Sequence, residues 1–276
     1  MRVPITVSSW TLGDHCSFEE RCAAAANAGY DGIGLRVENY IDALEEGYQD
    51  DELLAMMKRY GIKCTEVEYL TEWARKKRTY EEKYREQLIF HMGRLFGVHH
   101  INAGLLENEQ PTVVGERLRR LCQRARGVDI AVEPMPYSGI SDLKTAVRIL
   151  NVAAQSNAKL LLDAWHWVRA EQSFRPLTPA IAAKVVAVQV DDVHAQAYAP
   201  SVLRAESLHD RLIPDQGAKM VRNFLKMLRE SGVKPLTVGV EVISDELLKT
   251  GINNAAQRTH EATIKALKET WPELLG

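Results

Sequence analysis

Leu160-Leu161-Leu162-Asp163 is an apolar run that closes on a carboxylate. The same construction returns at Ile130-Ala131-Val132-Glu133, Val185-Val186-Ala187-Val188-Gln189 and Thr237-Val238-Gly239-Val240-Glu241. A buried strand seldom ends in a charge or an amide without a partner, because desolvating such a group is costly. Four oxygen-bearing side chains closing successive β-type runs therefore predict strands lying side by side, with a divalent cation shared at one end.

These runs extend over 129–134, 159–165, 185–191 and 236–244, and four more precede them at 3–9, 32–37, 63–70 and 99–105. Helix-type stretches separate them at intervals of roughly 25–40 residues, the rhythm of βα units around a parallel sheet. Eight runs predict an α/β fold, a single (β/α)8 TIM barrel over residues 1–276; no Pro/Ser-rich linker, low-complexity tract or compositional break divides the chain. Ser17 with Glu20 and Thr79 with Glu82 have capping-box spacing, Ser141 with Lys144 opens a further helix, and Gly29 ends the stretch 23–28. Gly61, Gly97, Gly127 and Gly232 stand between helices and strands.

Because strand side chains alternate, Glu133 shares a face with Ala131, Gln189 with Ala187 and Glu241 with Gly239, while Val132, Val188 and Val240 face the helices. Small inward residues either leave room for a cation and substrate or fill an alternating layer; Leu161 beneath Asp163 departs from the pattern. The C-terminal mouth is where barrel enzymes place their active sites. The loops there carry Trp165-His166-Trp167 and Asp191-Asp192-Val193-His194, suited to a small polar ligand, with tryptophans packed on the rim as the alternative.

A chain of 276 residues at 46% hydrophobic and 26% charged is ordinary for a soluble globular protein, and a net charge of −2 gives no global attraction to nucleic acid or an anionic membrane. No run approaches the ~18 apolar residues of a membrane span, and residues 1–10 are too short and polar for a secretory core, so a cytoplasmic location is expected. Cys16, Cys22, Cys64 and Cys122 lack Cys-x-x-Cys spacing and are expected to be reduced structural thiols.

Glu133-Pro134, the Asp-x-x-His stretch Asp163-Ala164-Trp165-His166 and Val240-Glu241-Val242 resemble the sugar phosphate isomerase/epimerase family with the xylose-isomerase-like barrel. The resemblance spans essentially the whole chain, from residues 29–36 through 240–244. It implies that Glu133, Asp163, the seventh-strand residue and Glu241 bind one divalent metal. Gln189 stands where histidine is commonest, and the resulting all-oxygen set favours Mn²⁺ or Mg²⁺ over zinc, with Co²⁺ also admitted. Residues 209–217 look like the family's Arg-x-x-Pro-Gly-x-Gly stretch, with Asp215 at the first glycine, and this implies a substrate-binding role for Arg211.

The activity so implied is a metal-dependent isomerase or epimerase acting on a sugar or polyol-ketone. A cation chelating a carbonyl and its neighbouring hydroxyl makes the α-proton removable, and Glu133 and Glu241 move protons about a metal-stabilised enediolate. His166 bonds a substrate hydroxyl or moves a proton. Glu68, Arg36 and Trp10 are further substrate-binding candidates, an Arg36–Glu68 ion pair being the structural alternative. Trp73 is a second aromatic for the same wall, and Asp192 is expected to orient Arg211 or a water.

The alternative activity is dehydration of a cyclic keto acid such as 3-dehydroshikimate. Resembling dehydratases carry glutamine on the seventh strand, although Leu208-His209-Asp210 departs from their Ser-Arg-His run. Apurinic-site endonucleases share the barrel, but their multi-zinc site resembles a histidine cluster that Gln189 and Glu68 do not supply. A binder that had lost catalysis is distinguished by Glu241→Gln, which would lower ligand or metal affinity rather than turnover. The expected partner is a small-molecule sugar or keto-polyol, with neither nucleic acid nor membrane; homo-oligomerisation is compatible with the resemblance.

Overall fold

In the computed structural model, which describes residues 2–196 and 198–276, every β-type run forms a strand. The strands are β1 (Ile5–Ser8), β2 (Gly32–Arg36), β3 (Lys63–Leu70), β4 (His100–Ala103), β5 (Asp129–Val132), β6 (Ala158–Asp163), β7 (Val185–Val190) and β8 (Thr237–Val240). Each pairs in parallel with the next, and β8 returns to β1 through Ile5↔Val238, Thr6↔Gly239 and Val7↔Val240, closing the barrel. This is a (β/α)8 TIM barrel with helices between its strands.

Local signals set the helix starts. Ser17 and Glu20 form the reciprocal cap of the helix Phe18–Ala28, which ends at Gly29 with φ 91°, and Thr79 with Glu82 does the same for Tyr80–Leu95. The expected start at Ser141 is one residue early. Asp142 is the cap, its carboxylate accepting from Thr145 N at 2.7 Å, and the helix runs Leu143–Ala153.

Strand alternation gives two apolar layers, except at Val186, the extra residue where β7 shifts register against β6. Val132, Val188 and Val240 join the large core between barrel and helices, while Ala131, Leu161, Val186 and Ala187 form a separate small cluster. Elsewhere the strands bury polar groups: Thr6, Glu66, His100 and Asn102 are all buried. Glu66 Oε2 lies 3.1 Å from His100 Nε2 and accepts from Asn102 Nδ2 at 3.1 Å. Two glycines make space for this layer. A Cβ on Gly34 would sit 2.9 Å from Glu66 Oε1, and one on Gly239 would sit 3.0 Å from Gln189 Cγ and 3.1 Å from Glu66 Oε1. The mouth therefore rests on a polar floor. All four thiols are free, and no described helix is long and apolar enough to cross a membrane.

Candidate active site

Asp163 ends β6 directly across from Gln189 of β7, and Glu133 and Glu241 lie one residue beyond β5 and β8. Backbone bonds from Glu133 N to Ala103 O (2.9 Å) and from Glu241 N to Val190 O (3.3 Å) tie both glutamates to the neighbouring strands. All four side chains are buried. Gln189 Nε2 is 3.4 Å from Glu241 Oε1, while Glu133, Asp163 and His166 each offer a ligand atom within 4.8 Å of the others. His166 thus belongs with Glu133 and Asp163 to a group of ligand atoms close enough to share one ion, beyond its expected role as a substrate contact. The reason is local: Asp163 caps the helix Ala164–Arg169 by accepting from His166 N at 2.8 Å, so one turn brings the imidazole back over the carboxylate.

Arg211 occupies the centre of this group. Its Nη1 lies 3.0 Å from Asp163 Oδ2, 2.8 Å from Asp191 Oδ2 and 3.1 Å from Glu241 Oε2. Nε donates to Ser207 O at 2.8 Å, and Nη2 donates to Ser207 Oγ at 3.0 Å and faces His166 Nε2 at 3.4 Å. A guanidinium has five N–H groups, and these acceptors account for all of them. Arg211 lines the cavity, but its donors are committed to the protein. In the loop that delivers it, Asp215 adopts φ 73° where the resembling pattern has glycine; Arg222 grips the Asp215 carboxylate from both nitrogens at 2.5 Å.

Buried acidity exceeds buried positive charge at this mouth. Glu66, Glu68, Glu133, Asp163, Asp191 and Glu241 are buried against Arg36 and Arg211. Burial, then the charges of Glu241 and Asp163, push Glu133 well above the usual carboxylate range. Burial raises Asp191, with Asp163 adding to it, and raises Glu68, with Glu241 and Glu66 adding to it. Burial also lifts Glu241 to about 7 against the opposing pull of Arg211. Burial and then Arg211 drive His166 well below its ordinary value, leaving a neutral imidazole. Burial opposes the charge of Arg211, but Asp163, Glu241 and Asp191 outweigh it. Glu133 Oε1 and Gln189 Oε1 are buried without any hydrogen-bond donor. Orphaned oxygens amid surplus carboxylate are the environment a hard divalent cation fits.

Hydroxyl groups hold the two glutamates. Tyr69 donates to Glu133 Oε2 at 2.7 Å, and Ser8 Oγ lies 3.3 Å from Glu241 Oε1 and 3.2 Å from Glu68 Oε2. Above them opens a cavity of about 170 Å³ whose lining includes Trp10, Tyr69, Glu133, Tyr137, His166, Arg211 and Glu241. Glu68 and Arg36 do not line it. Arg36 stacks on Trp10 at 3.8 Å and pairs with Asp14, so the alternative Arg36–Glu68 ion pair is replaced by a different one.

The expectation for Asp192 is corrected: it accepts from the backbone N–H of Val193, Gly217 and Lys219, and Asp191 is the carboxylate on Arg211. Alternation from Gln189 already places residue 191, not 192, on the inward face. Trp73 bonds Gly104 O and stays out of the cavity, Trp165 packs with Val193 and Leu203, and Trp167 packs on Phe224. Tyr69 and Ser8 carry no sequence signal, because each meets its partner across distant strands, whereas Ser207 lies only four residues before Arg211, a spacing that could have pointed to it.

Residues 22–270 match the xylose isomerase-like TIM barrel family, and the chain belongs to it. Inosose isomerase of Bacillus subtilis (strain 168) is 27% identical over 145 residues, 52% of this chain and 50% of that protein, so the chain spans about half the length of this curated relative. The crystal structure of the IOLI protein with a binding zinc atom superposes with a TM-score of 0.83 at 20% identity, covering 98% of this chain and 99% of that one. The probable 3-DHS dehydratase AsbF from Bacillus anthracis superposes with a TM-score of 0.74 at 13% identity, covering 97% and 99%. At these identities the solved structures establish the shared fold.

Proposed function

We propose that this protein is a divalent-cation-dependent isomerase or epimerase of a sugar or keto-polyol, with Glu133, Asp163, Gln189 and Glu241 holding the cation. The observation that carries this reading is the pair of cavity-facing glutamates from β5 and β8, each steadied by a hydroxyl, within a group of buried carboxylates that outnumbers its cations. His166 is a further candidate ligand, and a nitrogen in the set would move preference from Mn²⁺ or Mg²⁺ toward zinc. The zinc in the IOLI protein and the isomerase activity in the name of the Bacillus subtilis relative support the metal and the reaction class.

A bound divalent cation would supply Lewis acidity to a ketone oxygen. The chain supplies the proton handling. Glu133 and Glu241 reach the cavity from different strands, so one removes the proton beside the carbonyl and the other returns a proton to the opposite face or the adjacent carbon. Tyr69 holds Glu133 Oε2 and leaves Oε1 turned toward His166, 3.4 Å from its Nε2. The neutral imidazole, with Nε2 facing Arg211 Nη2 and Nδ1 left without a partner in the protein, is a hydrogen-bonding group for a substrate hydroxyl. Arg211 positions Asp163, Glu241 and His166 at once and keeps their mutual repulsion in check.

Dehydration of a cyclic keto acid ranks second, because Leu208-His209-Asp210 departs from the Ser-Arg-His run of the resembling dehydratases and the Arg211 guanidinium is committed to protein acceptors. The reading is tested by incubating Mn²⁺-loaded protein in D₂O with ketoses, inososes and 3-dehydroshikimate. Deuterium entering the carbon next to the carbonyl without loss of water supports isomerisation or epimerisation; an unsaturated product supports dehydration; no exchange with any ketone overturns both.

A further inference from the structure

Arg204 stands on the helix Leu203–His209, whose buried side is fixed in place. Ser207 holds Arg211 through its carbonyl and hydroxyl, and the buried carboxylate of Glu206 pairs with Arg169. Arg204 and Leu208, one turn apart, both line the active-site cavity. The acidic residues nearest Arg204 in sequence are engaged elsewhere, Glu206 with Arg169 and Asp210 with His194 and Tyr198, and among the described residues Arg204 makes no ion pair. The cavity is thus lined by two arginines of opposite circumstance: Arg211 buried with its donors spent, Arg204 exposed with its donors unspent. The wall includes the apolar side chains of Trp10, Leu106, Met135, Leu208 and Ile243, which offer a substrate no other charge.

We infer that Arg204 recognises an anionic oxygen group of the substrate, a carboxylate or a phosphate, whose ketone-bearing part lies over Glu133, Glu241 and His166. This rests on the cavity being the reaction site proposed above. A guanidinium matches both groups through paired N–H donors, and its attachment to an anchored helix limits the ordering cost of using it. Arg204 would therefore set substrate class, while the reaction belongs to the residues beneath it.

The test separates binding from turnover. Calorimetric titration of Mn²⁺-loaded wild type, Arg204→Ala and Arg204→Lys would use D-fructose and an inosose as neutral probes, D-fructose 6-phosphate as the phosphate probe and 3-dehydroshikimate as the carboxylate probe. At least one anionic probe is expected to bind more tightly than the neutral ones, to weaken about 5- to 10-fold in Arg204→Ala and to recover partly in Arg204→Lys. Neutral probes should change less than about twofold across the variants. The phosphate and carboxylate arms show which anion is preferred. Equal binding of neutral and anionic probes, or anionic binding indifferent to Arg204→Ala, overturns the inference even where D₂O exchange proceeds. Arg204-dependent anion binding without exchange upholds it and removes the proposed reaction instead.

Discussion

Replacing Arg211 with methionine removes the guanidinium that lies 2.8–3.1 Å from Asp191, Asp163 and Glu241 while keeping a flexible apolar side chain in its place. Breaking a buried ion pair by deleting one partner costs about 3–5 kcal/mol, because the remaining charge is left uncompensated. Here three carboxylates lose the same cation, so the upper part of that range applies to cation-free protein near neutral pH. Urea unfolding in EDTA should show the full loss with an unchanged denaturant slope. Acidification toward pH 5 should return part of it, since Glu241, raised to about 7 beside Arg211 and higher without it, is protonated there in both proteins and no longer draws on the guanidinium. Saturating Mn²⁺ should raise the variant's own stability by about 2.7 kcal/mol at a hundredfold excess over its Kd, as it does for wild type. A loss below about 1 kcal/mol in EDTA would refute the reasoning, since that is the range of a solvated surface pair and not of a buried cluster.

Glu241 sets a pH dependence of definite sign. Its pKa is raised by burial, so the cation-free fold keeps a proton that the unfolded chain releases nearer 4.5; the stabilisation is complete below that value and is lost as pH rises through about 7. EDTA-treated wild type should therefore weaken over this window relative to Glu241→Gln, a difference read from paired urea titrations. Comparison with the variant matters because His166, with a lowered pKa, acts in the opposite sense below its ordinary 6.5. Tyr69→Phe removes the donor on Glu133 and should lower kcat by roughly 10- to 100-fold with the fold intact, the range for a bond to a charged group. Unchanged kcat would show that Glu133 needs no such anchor. Gly239→Ala places a Cβ 3.0 Å from Gln189 Cγ, and about 1–3 kcal/mol of lost stability together with weakened Mn²⁺ binding is expected. Wild-type stability and affinity in that variant would show that Gln189 lies clear of the site.

The parts of this molecule that local chemistry controls are legible in its sequence. Period-two alternation put Ala131 and Ala187 inside the barrel and Val132, Val188 and Val240 under the helices, because a pleated strand has no other choice. Ser17 and Thr79 announced their helices through side chains that bond three residues ahead. The register that sets Asp163 opposite Gln189 is not legible in the sequence, because β7 carries one extra residue, Val186, between the partners of Leu160 and Leu161. What escaped depends on contacts between distant segments: Tyr69 reaching Glu133, Ser8 bridging Glu68 and Glu241, and Arg36 turning away to Asp14 and Trp10. Arg211 shows the limit most clearly. A motif names the arginine, but only the fold reveals that Asp163, Asp191, Ser207 and His166 have taken its donors.

Titration of EDTA-stripped protein with Mn²⁺, followed by electron paramagnetic resonance of the free ion, addresses the cation directly. One Mn²⁺ bound per chain, lost in Asp163→Asn and in Glu241→Gln, is the result that oxygen ligands converging from β5 to β8 predict. Absence of stoichiometric binding, or binding that both variants leave unchanged, would contradict it.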